Sequence, residues 1–182
     1  MRPVEILMEE HELVLRMLDV MRSVSAKLRT GVDVPDSDLL KILEFIRGFA
    51  DGCHHSKEEK VFFPALESAG IQKEGGPIGV MLKEHETGRK MAMIMSDSFS
   101  SSGQSGGLRL RFADAAEKYA DLLEHHIEKE NGVLFVMAGK IFSLEQQRKI
   151  TDDFIKIEIE EAGIGVHEKY HGILLDLMHS YL

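Results

Sequence analysis

The sequence predicts an all-α fold of long helices packed side by side, and three observations carry that expectation. Apolar residues recur at helical spacing along the whole chain, and no run alternates as a half-buried strand would. Glycine and proline punctuate the chain between those runs, at Thr30-Gly31, Ala69-Gly70, Gly75-Gly76-Pro77 and Gly163-Ile164-Gly165. One pattern also occurs twice: His54-His55-Ser56-Lys57-Glu58 with Val61 and Phe63, then His126-Ile127-Glu128-Lys129-Glu130 with Val133 and Phe135. In each copy a His and a Glu stand one turn apart on the same helix face, so an imidazole and a carboxylate reach toward one point.

The elements follow in order. Ile6, Leu7, Leu13, Val14, Met17, Leu18 and Met21 mark a first amphipathic helix that ends near Thr30-Gly31. Pro35-Asp36 opens a second, with Leu39, Leu40, Leu43, Ile46, Phe49 and the first His-Glu copy, which stops near Ala69-Gly70. Pro77 starts a third that runs to about Ser98. The Ser- and Gly-rich stretch from Ser100 to Gly107 reads as a loop within the domain, and a fourth helix runs from about Leu108 to Phe142. Ser143 and Gln146 form a capping-box pattern for a shorter fifth helix, and the Gly163/Gly165 bend precedes a last one.

The duplication reaches further than the His-Glu pairs. Met8-Glu9-Glu10-His11-Glu12 in helix one parallels Leu82-Lys83-Glu84-His85-Glu86 in helix three, so helices one-two and three-four read as two halves of one plan. His11 lies about 18 residues before the end of helix one and His54 about 18 after the start of helix two. At 1.5 Å rise per residue both lie roughly 27 Å from the shared turn, and an antiparallel pair sets them side by side.

Composition narrows the function classes. At 182 residues, 43% hydrophobic and 29% charged, the chain reads as one globular domain able to bury its own core. A net charge of −9 leaves no basic stripe for nucleic acid and no attraction to anionic membrane. Cys53 is the only cysteine, which excludes an internal disulfide and a cysteine-based zinc site. No signal-like or membrane-spanning run is read, so the expected compartment is the cytoplasm.

With His11-Glu12, His54-His55-x-x-Glu58-Glu59 before Phe62-Phe63-Pro64, Glu84-His85-Glu86, and His126-x-x-x-Glu130 before Leu134-Phe135, the chain resembles the hemerythrin-like, or HHE cation-binding, family. The resemblance covers residues 1–142 and implies an antiparallel up-down four-helix bundle, with residues 143–182 as a helical extension packed on it. It further implies two Fe ions, oxo- or hydroxo-bridged, with His11, His54, His85 and His126 as terminal ligands and Glu58 and Glu130 as bridges. The implied function is binding, sensing or handling O2, peroxide or nitric oxide. A peroxide- or nitric-oxide-consuming redox enzyme and an iron-responsive or iron-storage module stand as alternatives.

The bottom-up chemistry agrees, since imidazole suits iron and a carboxylate has two oxygens with which to join two cations. The chain departs from the oxygen carriers of the family at helix three, where a His-x-x-x-His pair has become His85 and Arg89. The last helix is therefore the place to look for a further ligand, with His167 turned across the bundle mouth by the Gly-Ile-Gly bend. His55 and His125, about 100° round the helix from their neighbours, read as flanking residues. Glu12, Glu59 and Glu86 are candidates to hydrogen-bond the ligating rings, and Phe62, Phe63 and Phe135 read as core. His167-Glu168-Lys169-Tyr170-His171 also matches the zinc-protease pattern, but no third ligand follows: Leu174 and Leu177 stand where the extended motif has Gly and His.

Overall fold

A computed structural model of the protein describes residues 2–100 and 106–182, with the side chains of residues 99, 100, 106, 161 and 162 not described. The described residues form six helices and no strand. They are α1 (Pro3–Arg29), α2 (residues 36–68), α3 (Pro77–Ser100), α4 (residues 106–141), α5 (residues 144–162) and α6 (Val166–Tyr181). Residues 101–105, within the expected Ser/Gly loop, lie outside the described residues, while Ser100 and Gly106-Gly107, expected in that loop, are helical. Ser143 caps α5 as its sequence suggests: its hydroxyl accepts from the Gln146 amide at 3.3 Å, and its own amide donates to Gln146 Oε1 at 2.9 Å.

Cross-helix pairs fix the register of the bundle. Along α1 and α4, His11 meets Asn131, Arg22 meets Asp121 and Glu124, and Arg29 meets Asp114, so ascending numbers meet descending ones. The same antiparallel order holds between α2 and α3, where Asp51 and Glu59 both meet Arg89 and Glu59 meets His85. Between α3 and α4, Glu84 pairs with Lys129 and His126. Exposed ion pairs of this kind contribute little stability each, but together they report an up-down four-helix bundle.

The core is divided in two. Val14 to Leu28 of α1, Leu39 to Cys53 of α2, and Phe112 to Ile127 of α4 belong to one apolar cluster. Leu7, Phe62, Phe63, Leu66, Met81, Leu134 and Phe135 belong to a second. Between them lies a buried polar layer containing His11, His54, Glu58, His85, His126 and Glu130. Ile150 and Phe154 of α5 join the second cluster, and Val166, Tyr170, Leu174 and Leu177 of α6 join the first, so the C-terminal helices complete the core on both sides of that layer.

Stretches of α2 and α4 take the wider π form, with backbone hydrogen bonds closing one residue further on than in an α-helix. They are Ile46–His55 and Glu58–Phe62 in α2 and Glu130–Leu134 in α4. Such stretches recur at functional sites because a wider turn changes which side chains share a face. Here they fall on the two segments that carry the duplicated motif, and a further one, Glu158–Ala162, ends α5.

Gly48 shows how closely α6 docks. A Cβ there would come within 1.7 Å of the Tyr170 hydroxyl and 2.4 Å of its Cζ. Alanine ordinarily stabilises a helix interior by about 1 kcal/mol over glycine. At Gly48 the overlap reverses the sign, because the Tyr170 ring, in contact with Phe45 and Phe49, must leave those contacts to admit a Cβ. Gly48→Ala is expected to cost about 1–3 kcal/mol, measured as a lower thermal midpoint than the parent.

Candidate metal centre

The polar layer resolves into two groups that share one carboxylate. His11, His54, Glu58 and Glu130 place their donor atoms within 4.8 Å of one another, and so do His55, Glu58, His85 and His126. Glu58 turns one oxygen to each group: Oε1 lies 3.6 Å from His54 Nε2, and Oε2 lies 3.4 Å from His85 Nε2. Glu130 also spans them, with Oε2 3.2 Å from His11 Nε2 and 3.3 Å from His126 Nε2. Five imidazoles and two carboxylates from four helices therefore converge on two adjacent points.

Every one of these imidazoles is oriented by a hydrogen bond at Nδ1. The partner is Asn131 for His11 (2.9 Å), Glu10 for His54 (2.9 Å), Glu59 for His85 (2.7 Å) and Glu84 for His126 (3.0 Å). Asp51 stands 3.4 Å from Nδ1 of His55. With Nδ1 engaged, Nε2 faces the other residues of its group, which is how carboxylate–histidine pairs present a ring to a metal. The arrangement repeats with the sequence. Lys57 pairs with Glu10 as Lys129 pairs with Glu84, and each of those glutamates precedes a histidine of the centre.

Whether a cation fits is answered by what the layer leaves unpaired. Both oxygens of Glu58, both of Glu130 and Nε2 of His11 are buried without a hydrogen-bond partner. Buried carboxylates without partners are strongly disfavoured. Cations bound between them would remove that cost, and two carboxylates with five imidazoles suit iron.

The same burial shapes the proton inventory of the metal-free layer. Burial, aided by the charge of Glu130, pushes the Glu58 carboxyl well above the usual carboxylate range. For Glu130 burial acts upward too, but His126 and His11 outweigh it and hold the group ionised. Burial lowers His54 to about 4 and takes His55 well below its ordinary value. It acts on His126 as well, but there Glu130 and Glu84 prevail and raise the imidazole to about 9. Metal entry into such a layer is coupled to proton release.

Placement of the expected residues can now be stated. His11, His54, Glu58, His85, His126 and Glu130 are brought together. His55 joins them, where the sequence reading set it beside the site. The two neighbours straddle the inward face of α2, within the π stretch that ends at His55, so that His54 serves one group and His55 the other. The His55 ring stacks on His85 with centroids 3.8 Å apart. His125, by contrast, is exposed and bonds its own helix at Asp121 O.

His167 is not brought into either group. It lies in a separate cluster with Glu10, Glu158 and Cys53, its Nε2 3.3 Å from both carboxylates, and Lys57 bridges the same two acids. His171 is exposed, so the protease-like pattern converges on nothing. Among the candidate orienting acids Glu59 fills the role, whereas Glu12 and Glu86 are exposed and Glu10 and Glu84 act instead. The repeated Glu-His steps and the matched Lys57 and Lys129 were the signal in the sequence that could have singled these out.

His167→Ala is therefore expected to leave metal content unchanged. Contact with Cys53 and Glu10 raises this imidazole to about 10 from 6.5. Its charged form thus adds stability that is complete below about pH 6.5 and is lost as pH rises through about 10. The stability difference between parent and variant should shrink over that window, measured by chemical denaturation at a series of pH values.

Comparison with known proteins places the whole bundle. The family description that matches is the hemerythrin HHE cation binding domain, over residues 2–138. An uncharacterized Mycobacterium tuberculosis protein is 26% identical over 160 residues, covering 87% of this chain and 62% of its own. The iron-sulfur cluster repair protein YtfE of Edwardsiella ictaluri is 31% identical over 134 residues, 71% of this chain and 60% of that protein. The iron-sulfur cluster repair protein DnrN of Neisseria gonorrhoeae is 33% identical over 85 residues, 45% of this chain and 54% of that one. The chain thus spans about three fifths of the length of the first two. No solved structure gives a match of comparable significance.

Proposed function

We propose, from the premise that this chain belongs to the hemerythrin HHE cation-binding domain family, that its polar layer holds two iron ions and uses them to bind or convert O2, peroxide or nitric oxide. The observation that carries the reading is Glu58, fully buried, unpaired at both oxygens and common to two groups of imidazoles. The proposed ligands are His11, His54, Glu58 and Glu130 at one position and His55, His85, His126 and Glu58 at the other, with Glu130 in reach of both. Iron held there would supply one-electron chemistry and affinity for a small ligand.

The protein's own residues do the rest. The Nδ1 partners hold five rings in place, so little reorganisation accompanies binding. Phe135 stacks on His11 at 5.3 Å and Phe63 on His85 at 5.8 Å, and these rings keep water from that side of the layer.

Metal content and the absorption spectrum after anaerobic reconstitution test the metal reading, with two irons per chain expected. Exposure of the ferrous protein to O2, peroxide and nitric oxide then separates reversible binding from turnover. Well under two irons per chain would sink the proposal.

A second reading is favoured by the names of the YtfE and DnrN relatives: iron held in this layer is passed to damaged iron–sulfur proteins. Iron transfer from the loaded protein to an apo iron–sulfur protein after nitric oxide exposure supports it. Retention of both irons under the same treatment counts against it.

A further inference from the structure

Beside the His55–His85 pair a pocket of about 260 Å³ opens between α2 and α3. O2, nitric oxide and peroxide each need no more than the room of one or two waters. At about 30 Å³ per water this space takes roughly eight non-hydrogen atoms. The pocket is larger than the small ligands of the metal centre require.

Its walls have a distinct chemistry. Ile46 and Ala92 contribute apolar surface. Tyr119 lines it while only 2% exposed, and its hydroxyl has no hydrogen-bond partner among the described residues. A hydroxyl without a protein partner at the wall of a pocket is a place where the acceptor of a bound molecule replaces water. Burial, reinforced by the charge of Asp51, raises the phenol and keeps it a donor. Arg47 lies exposed among the lining residues, without an ion-pair partner among the described residues. Arg89, also in the lining, is by contrast engaged by Asp51 and Glu59. The pocket therefore offers one uncommitted guanidinium and one uncommitted hydroxyl, beside apolar surface from Ile46, Ala92 and Met93 and the paired charges of Asp51 and Arg89.

We propose that this pocket binds a small organic anion of about eight non-hydrogen atoms, with a carboxylate for Arg47, an apolar stem for Ile46 and Ala92, and an inner oxygen that accepts from Tyr119. A guanidinium favours a carboxylate because its planar fork matches the two oxygens. The bound molecule lies against the imidazoles of His55 and His85, so it is positioned to control approach to that side of the centre.

Calorimetric titration of the metal-loaded protein with sodium 4-oxopentanoate tests this, with sodium hexanoate and sodium acetate as comparisons. 4-Oxopentanoate and hexanoate match in size, but only the former has an inner acceptor; acetate has the carboxylate alone. 4-Oxopentanoate is expected to bind at least about tenfold more tightly than acetate, since added methylenes are worth roughly fourfold each when buried. Arg47→Gln weakens both longer acids about tenfold or more, as loss of a charge-assisted hydrogen bond does. Tyr119→Phe weakens 4-oxopentanoate and spares hexanoate. Ala92→Leu fills the space and abolishes binding of both. Unchanged thermal midpoints show that each variant is folded.

Equal affinity for acetate and 4-oxopentanoate, or unchanged affinity in Arg47→Gln and Ala92→Leu, overturns the proposal. The metal-free protein is expected to bind equally well, because no contact runs through a metal. Binding that disappears with the metal marks simple coordination of a carboxylate and also overturns it. The pocket thus stands or falls separately from the metal reading.

Discussion

Glu58→Leu is expected to empty both metal positions and, at the same time, to stabilise the metal-free protein. The two effects share one cause. Glu58 is the one residue common to both four-residue groups, so on the proposed reading its loss removes a ligand from each. In the metal-free protein, however, its carboxyl is buried with neither oxygen hydrogen-bonded. Replacing a buried ionisable group with an apolar one of similar volume is often neutral or stabilising by about 1–4 kcal/mol. At this chain length each kcal/mol moves the thermal midpoint by about 2–4 °C. Metal analysis should fall from two ions per chain to fewer than one. Melting in the presence of a chelator should give a higher midpoint for the variant than for the parent. A lower midpoint would mean that Glu58 serves the fold rather than a cation.

His55→Leu is expected to remove one metal ion and leave the other. Its ring belongs to the group with His85 and His126, and the second group retains all four of its residues without it. Losing only the partner that orients a ligating imidazole costs about 10–100-fold in metal affinity, so losing the imidazole itself should cost more. Leucine fills most of the volume beside His85 and keeps the packing. Metal content should drop by about one ion per chain, and any spectroscopic coupling between two irons should vanish. His125→Leu is the control, since its ring is exposed and bonds only its own helix. Full retention of both ions in His55→Leu would return this residue to the flanking role that its sequence position suggests.

These two variants mark where reading the chain succeeds and where it stops. His11, His54, Glu58, His85, His126 and Glu130 could be gathered from the sequence because their spacing follows the helical repeat and recurs in two halves. His55 could not. A rotation of about 100° per residue sets it beside its neighbour's group, and only the packing of α2 against α3, which stacks its ring on His85, shows that it faces the second group. Glu10 and Glu84 were within reach, because each precedes a histidine and each is matched by a lysine in the repeated motif, but neighbouring Glu12 and Glu86 were equally plausible on spacing alone. The structure chooses the former pair by placing them 2.9 and 3.0 Å from His54 and His126.

The C-terminal segment shows the same division. Its capping box at Ser143 and its break at Gly163 and Gly165 depend on local backbone and side-chain chemistry, so they were legible, and the two glycines do take positive φ, 93° and 79°. Where α6 lands is a different kind of fact. His167 meets Glu10 and Glu158 rather than the metal centre because Tyr170 packs over Gly48 and between Phe45 and Phe49.

Helix period, helix ends and the duplicated His-Glu steps are set by neighbours within a turn or two of chain, and the sequence alone determined them, along with the family they suggest. The fifth imidazole, the carboxylate behind each ring, the pocket at Tyr119 and the station of His167 depend on contacts between segments distant in the chain. Such contacts obey no repeat, since they follow from how whole helix faces fill space against one another, and only the tertiary structure decided them.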